Sequence, residues 1–214
     1  MTPTVPSANS DPKVDKANAI LAGAFEVFTS QGFAAASMAR IAKAAGVSKP
    51  TLYSYFQDKE GLFIAVVQQL LHKSNHMALS LPVVAEMPPS PEAPLRAMAT
   101  SFLSEAASNK PFLTLMRLII GESEQFPELA QTFVRVLTKP FLEKLTAYLA
   151  NHPQLEFADP EVAARTFAGA MVHYLIVQEM LGGKNMMPLE CDRMVDGLID
   201  LMMAGGHYQA ESTQ

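Results

Sequence analysis

From Lys13 onward the apolar positions recur at intervals of three and four residues, not two. Ile20, Leu21, Ala24, Phe25 and Phe28 fall on one face of a helix over about Lys13 to Ser30, and Gly32 supplies its stop. Ser37 reads as the N-cap of a helix from Met38 to Ala45, with Met38, Ile41, Ala42 and Ala45 inward and Gly46 closing it. Ser48 reads as the N-cap of another, with Pro50 tolerated in a first turn that lacks intrahelical N–H partners. The A-G-V-S joining these two is too short for anything but a sharp corner, so the pair is a predicted helix-turn-helix. Its small core takes Leu52 and Phe56 together with Val47, Ile41 and Phe25.

A fourth helix is predicted from near Lys59 through Leu62, Phe63, Val66, Val67, Leu70 and Leu71. The stretch S-L-P-V-V-A-E-M-P-P-S-P-E-A-P follows, with five prolines between 82 and 94, and reads as a linker. Beyond it the periodicity predicts helices near 95–108, 110–122, 126–150, 160–182 and 188–205, the last ended by Gly205 and Gly206. No alternating β-branched run bounded by hairpin turns occurs, and an all-α fold follows. The expected organisation is a flexible arm at 1–12, a helix-turn-helix domain at 13–60, a larger helical domain at 61–206 and a tail at 207–214.

At 214 residues and 49% hydrophobic content the chain can fill a sizeable core. No apolar run approaches the roughly 18 to 20 residues of a membrane span. Cys191 is the single cysteine, so no intramolecular disulfide forms and the expected home is the cytoplasm. The net charge of −5 argues weakly against a nucleic-acid partner, but it is unevenly spread. Residues 1–72 hold six basic against five acidic side chains, and residues 73–214 hold ten against sixteen. The head can therefore gather its basic residues on one surface while the remainder is acidic.

In a helix-turn-helix the second helix enters the DNA major groove, its first residues facing base edges and flanking donors holding phosphates. That gives the residues around it chemical roles. The helix start at Ser48 and the charge of Lys49 suit a phosphate. Thr51 offers a hydroxyl and a methyl, while Tyr53 and Tyr55 combine a flat apolar body with a hydroxyl. Lys59 is placed to reach a phosphate from the far side. The candidate DNA contacts are Ser37, Ser48, Lys49, Pro50, Thr51, Tyr53, Tyr55 and Lys59. The competing reading is an ordinary surface, with Tyr53 or Tyr55 merely covering the core.

The run from Ile20 to Leu62, and above all SMARIAKAAGVSKPTLYSYFQDKEGLF from Ser37, resembles the DNA-binding domain of the TetR family of transcriptional regulators. The matching features are Gly32-Phe33, the small-residue turn IAKAAGVS, Leu52-Tyr53, Tyr55-Phe56, and Lys59 followed by an acidic residue and Leu62. Lys49 departs from the glycine or arginine of many members. The resemblance implies a three-helix DNA-binding head, a larger helical domain that binds a ligand and forms the homodimer, and repression as the commoner outcome. It implies that the last two long helices pair with their symmetry mates as a four-helix bundle. Val162, Phe167, Met171, Leu175 and Ile176 on one, and Met194, Leu198, Leu201 and Met202 on the other, are apolar enough for that, the alternative being a purely intrachain core.

A palindromic operator suits such a dimer, because two recognition helices must reach successive major grooves about 34 Å apart or a multiple of it. Methionine occurs 13 times, and flexible thioethers suit either a cavity for an apolar or amphipathic effector or an irregular core. The candidate effector contacts are Phe102, Met116, Arg117, Phe133, Met171, His173, Tyr174 and Gln178. Core packing is the plainer alternative for each. An effector that prefers an arrangement with badly spaced recognition helices weakens DNA binding, commonly by about 1 to 3 kcal/mol. The first part of the fourth helix, Lys59 to Leu71, is the expected lever.

No G-x-S-x-G, P-loop or H-E-x-x-H occurs, and the histidines at 72, 76, 152, 173 and 207 are scattered, although His72 and His76 are four apart. An enzyme is therefore not expected, nor a cofactor or metal. A helical protein-interaction scaffold is the remaining rival, separable by the steep salt dependence that DNA binding alone would show.

Overall fold

The computed structural model describes residues 12–73 and 87–206. The expected arm, the tail, most of the linker and the side chains of His72 and His76 lie outside the described residues. Within them the chain is helical and contains no strand. Helix α1 is Pro12–Ala35, α2 Met38–Ala44, α3 Lys49–Tyr55 and α4 Lys59–Lys73. The larger half contains α5 (Glu92–Ser108), α6 (Lys110–Glu122), α7 (Pro127–Phe133), α8 (Lys139–Asn151), α9 (Pro160–Tyr174) and α10 (Cys191–Gly205).

The predicted caps form. Ser37 Oγ accepts from the Arg40 amide at 3.3 Å and Ser48 Oγ from the Thr51 amide at 3.2 Å. At the corner, Gly46 takes φ 66°, its N–H bonds Lys43 O, and the Val47 N–H bonds Ala42 O. This paired closure is a Schellman motif, which satisfies two orphan carbonyls and aims α3 away from α2. Gly32 breaks α1 as expected, at φ 80° and ψ 162°, but one further turn runs on to Ala35.

Two expected long helices are interrupted. Val134–Thr138 winds as a π-helix between α7 and α8, with the Lys139 N–H reaching Val134 O. Pro140 explains it: with no N–H it cannot bond the carbonyl four residues back, and its ring crowds that carbonyl, so the wider turn relieves both. Leu175–Met180 forms a second π-helical segment after α9, closed by the Leu181 N–H on Ile176 O at 2.9 Å. Gly182 at φ 73° then turns the chain.

Two apolar clusters hold the molecule. The first joins Ile20, Phe28, Phe33, Ile41, Leu52 and Phe63 to Leu115 and Ile119 of α6 and Leu129 of α7. The second is built from Leu95, Leu103, Phe112, Leu145, Phe167 and Ile199 with their neighbours. Phe167, Met171, Leu175, Leu198 and Met202, considered above for the four-helix bundle, are buried inside the chain, whereas Val162 and Leu201 remain exposed. His152 is a satisfied core histidine: its Nδ1 accepts from the Gln154 amide, which leaves Nε2–H to donate to Pro88 O at 3.1 Å. Beside it the Tyr148 hydroxyl is buried without a partner among the described residues, and burial pushes its pKa up to about 12.

Candidate nucleic-acid interface and ligand cavity

Lys49, Pro50 and Tyr53 are exposed along α3, and Lys43 is exposed in the last turn of α2. Tyr53 is 48% exposed although aromatic, so its ring is offered to solvent and does not cover the core. The other nominated residues divide. Ser37 and Ser48 spend their side-chain oxygens on helix caps, and the Ser48 and Thr51 hydroxyls lie 2.8 Å apart. Tyr55 is half-buried and packs on the head core, which matches the plainer reading of it. Arg40, not nominated from sequence, extends over the surface but is held by Gln31 Oε1 at 2.7 Å and Ala35 O at 2.9 Å.

Lys59 turns inward. Its Nζ donates to Phe33 O at 2.9 Å and Ala36 O at 3.4 Å, and lies 4.3 Å from the centre of the Phe33 ring. It therefore caps the carbonyls at the end of α1 and is not presented as a phosphate ligand. Phe33 is held on its other side as well: its N–H donates to Glu122 Oε1 of α6 at 3.0 Å, and its ring meets Phe28, Phe63 and Phe126. Both peptide groups of one residue are thus fixed by side chains from α4 and α6. Nothing in the sequence singles out Glu122, an unremarkable glutamate at a helix end; 89 residues separate it from its partner.

A cavity of about 90 Å³ lies between α5, α6, α8 and α9, and four of the eight nominated residues, Phe102, Met116, Phe133 and Met171, line it. The polar nominees do not. Arg117 donates to the carbonyls of Glu179 and Met180, 3.3 and 3.2 Å away, where the second π-helical segment ends. The Tyr174 hydroxyl donates to Leu189 O, the Gln178 amide nitrogen donates to Met187 O, and His173 is exposed on the outside of α9. For the buried Tyr174 and Gln178 the physical reason is shared: in an apolar interior a donor seeks the nearest carbonyl, and the loop before α10 supplies it, whereas Arg117 and His173 lie on exposed helix faces. The lining residues not nominated, such as Leu137, Phe141 and Ile176, look in sequence like any core residue. Thr138, also unforeseen, is the single polar side chain in the wall.

Helix α6 serves both places. Phe112, Leu113 and Met116 line the cavity, while Leu115, Ile119 and Glu122 enter the head. No group of three or more metal-ligating side chains occurs among the described residues, and no helix there is long and apolar enough to cross a membrane. The Cys191 thiol has its pKa raised by burial and then by Asp192 and Glu179, the opposite of what an activated nucleophile requires.

Comparison with known proteins is consistent along the chain. Residues 20–66 match the profile of bacterial regulatory proteins of the tetR family, and residues 93–210, more than half the chain, match the C-terminal domain of AefR-like transcriptional repressors. The chain belongs to the TetR family. Among curated relatives, the HTH-type transcriptional regulator AcrR of Shigella flexneri is 33% identical over 111 residues, and the matched stretch is 52% of this chain and 51% of that one. RutR of Escherichia coli K12 is 46% identical over 56 residues, 26% of each chain. The chain thus spans about half the length of the first of these relatives and about a quarter of the second. Among solved structures, a TetR-family regulator from Mesorhizobium loti superposes with a TM-score of 0.72 at 26% identity, covering 91% of this chain and 98% of that one. The flavonoid-responsive regulator FrrA gives 0.71 at 27%, covering 88% and 95%.

Proposed function

We propose that this TetR-family chain binds a palindromic DNA operator as a homodimer, acts as a repressor, and is released by a small apolar or amphipathic effector. The observation that carries the reading is the double use of α6, whose residues line the cavity with one stretch and complete the head core with another. A guest that displaces Phe112 or Met116 moves the helix that holds Leu115, Ile119 and Glu122 against the head. Interiors are too closely packed to absorb such a shift locally. The lever is then α6 as well as α4, which packs on both α1 and α7.

DNA is met by Lys49, Pro50, Thr51 and Tyr53, with the exposed Lys43 of α2 a further contact. Ser37, Ser48 and Tyr55 position the helices, and Lys59 fixes the joint between α1 and α4. Support for the dimer comes from the outer face of α9 and α10. Val162, Thr166, Gly169 and His173 form one exposed helical row, and Gly197, Leu201 and Ala204 another. Gly169 and Gly197 sit within helices with open space where a Cβ would stand. Glycine there costs roughly 1 kcal/mol relative to alanine, and close approach of a partner helix offsets such a cost.

Footprinting of purified protein on genomic DNA, followed by anisotropy titration of the protected fragment at several salt concentrations, tests this. An inverted repeat with affinity falling steeply with salt is expected. A protein that protects no sequence, or whose affinity ignores salt, is not this regulator.

A further inference from the structure

The cavity's chemistry narrows the guest, given that it is the effector site. Four phenylalanines, Phe102, Phe112, Phe133 and Phe141, and three methionines, Met116, Met171 and Met180, make up half of its lining residues, and no ionisable side chain is among the rest. An ion entering there would lose its hydration and find no counter-charge, a cost of several kcal/mol that contact alone does not offset. The cations around it are engaged elsewhere: Arg117 donates to the carbonyls of Glu179 and Met180, while Lys139 and Arg165 line a separate open groove and are paired with Glu143 at 3.7 Å and Glu161 at 2.7 Å.

Size narrows it further. A cavity of about 90 Å³ is smaller than the roughly 150 Å³ of an engineered benzene-binding site, so within its walls it has room for one ring after modest thioether movement, and a longer guest would have to extend into the groove outside. Aromatic faces and edges surround a ring with favourable quadrupole contacts. Thr138 lines both this cavity and the open groove outside it, so the one hydroxyl in the wall stands where apolar interior meets water. It also closes the π-helical turn of Val134–Thr138.

We propose that the cavity between α5, α6, α8 and α9 receives a small uncharged single-ring compound bearing one hydroxyl, with the Thr138 side chain as its hydrogen-bonding partner. The apolar ring sits among the phenylalanines, and the hydroxyl faces the groove.

Isothermal titration of the full chain with para-ethylphenol, ethylbenzene, para-ethylbenzoate and decanoyl-coenzyme A tests it, beside the Thr138→Val variant. Para-ethylphenol is expected to bind at least about thirtyfold more tightly than the benzoate, whose charge has no partner. Thr138→Val is expected to weaken para-ethylphenol about fivefold and to leave ethylbenzene unchanged, which also shows that the variant folds. Tighter binding of the benzoate or the acyl thioester, equal loss for phenol and hydrocarbon in the variant, or no binding of any probe overturns the proposal. Operator binding, measured separately without probe, fails only if the regulator reading itself is wrong.

Discussion

At Lys59 one ammonium decides between two roles that a sequence cannot separate. Its bonds to Phe33 O and Ala36 O make it a cap on α1, while Lys49 is exposed at the start of α3. Lys59→Met is expected to lower the unfolding midpoint of the head and leave the salt slope of operator binding unchanged. Lys49→Met is expected to leave stability unchanged and reduce that slope by about one phosphate contact. Denaturation and anisotropy titrations of both variants read the contrast. Gly32 is the companion case. Its φ of 80° with ψ of 162° lies in a region that only glycine enters readily, and an added Cβ would stand 2.7 Å from Glu122 Oε1. Gly32→Ala is expected to cost about 1 to 3 kcal/mol in urea unfolding, with part of the loss falling on the Glu122–Phe33 bond.

At the scale of elements, the π-helical segments are what periodicity alone missed. An apolar stripe at intervals of three and four continues smoothly through 134–138 and 175–180, so the pattern reads straight through them as α-helix. Only the first interruption has a local cause in Pro140. Pro140→Ala restores the missing N–H and is expected to let Val134–Thr138 relax to α-helix. The measurable results would be slower hydrogen exchange there, and a cavity whose Thr138 wall has rotated and that binds its ring ligand more weakly. Unchanged exchange would mean that tertiary packing, not the proline, sets the wide turn. Elsewhere the elements were legible: Ser37, Gly46 and Ser48 cap and close as their chemistry dictates, because those bonds span only a few residues.

In the molecule as a whole, α6 joins two clusters and α10 keeps the apolar row of Gly197, Leu201 and Ala204 outside. Leu201 is 72% exposed on that row. Leu201→Glu is expected to turn a dimer into a monomer in sedimentation and to weaken operator binding, while circular dichroism of the helices stays the same. A dimer that survives the change would move the interface elsewhere. Charge tells a similar story of scale: the chain is acidic overall, yet Lys43, Lys49 and Tyr53 are exposed on a head whose charge is nearly balanced. By itself the sequence determined the all-helical class, the sharp corner before α3 and the family resemblance, because caps, turns and amphipathic spacing act over a few residues. The tertiary structure alone decided that Lys59 faces inward, that Arg117, His173, Tyr174 and Gln178 stay out of the cavity, and that Glu122 reaches Phe33. Those outcomes depend on which carbonyl or ring lies nearest once distant segments are packed together, and no local interval along the chain encodes that distance.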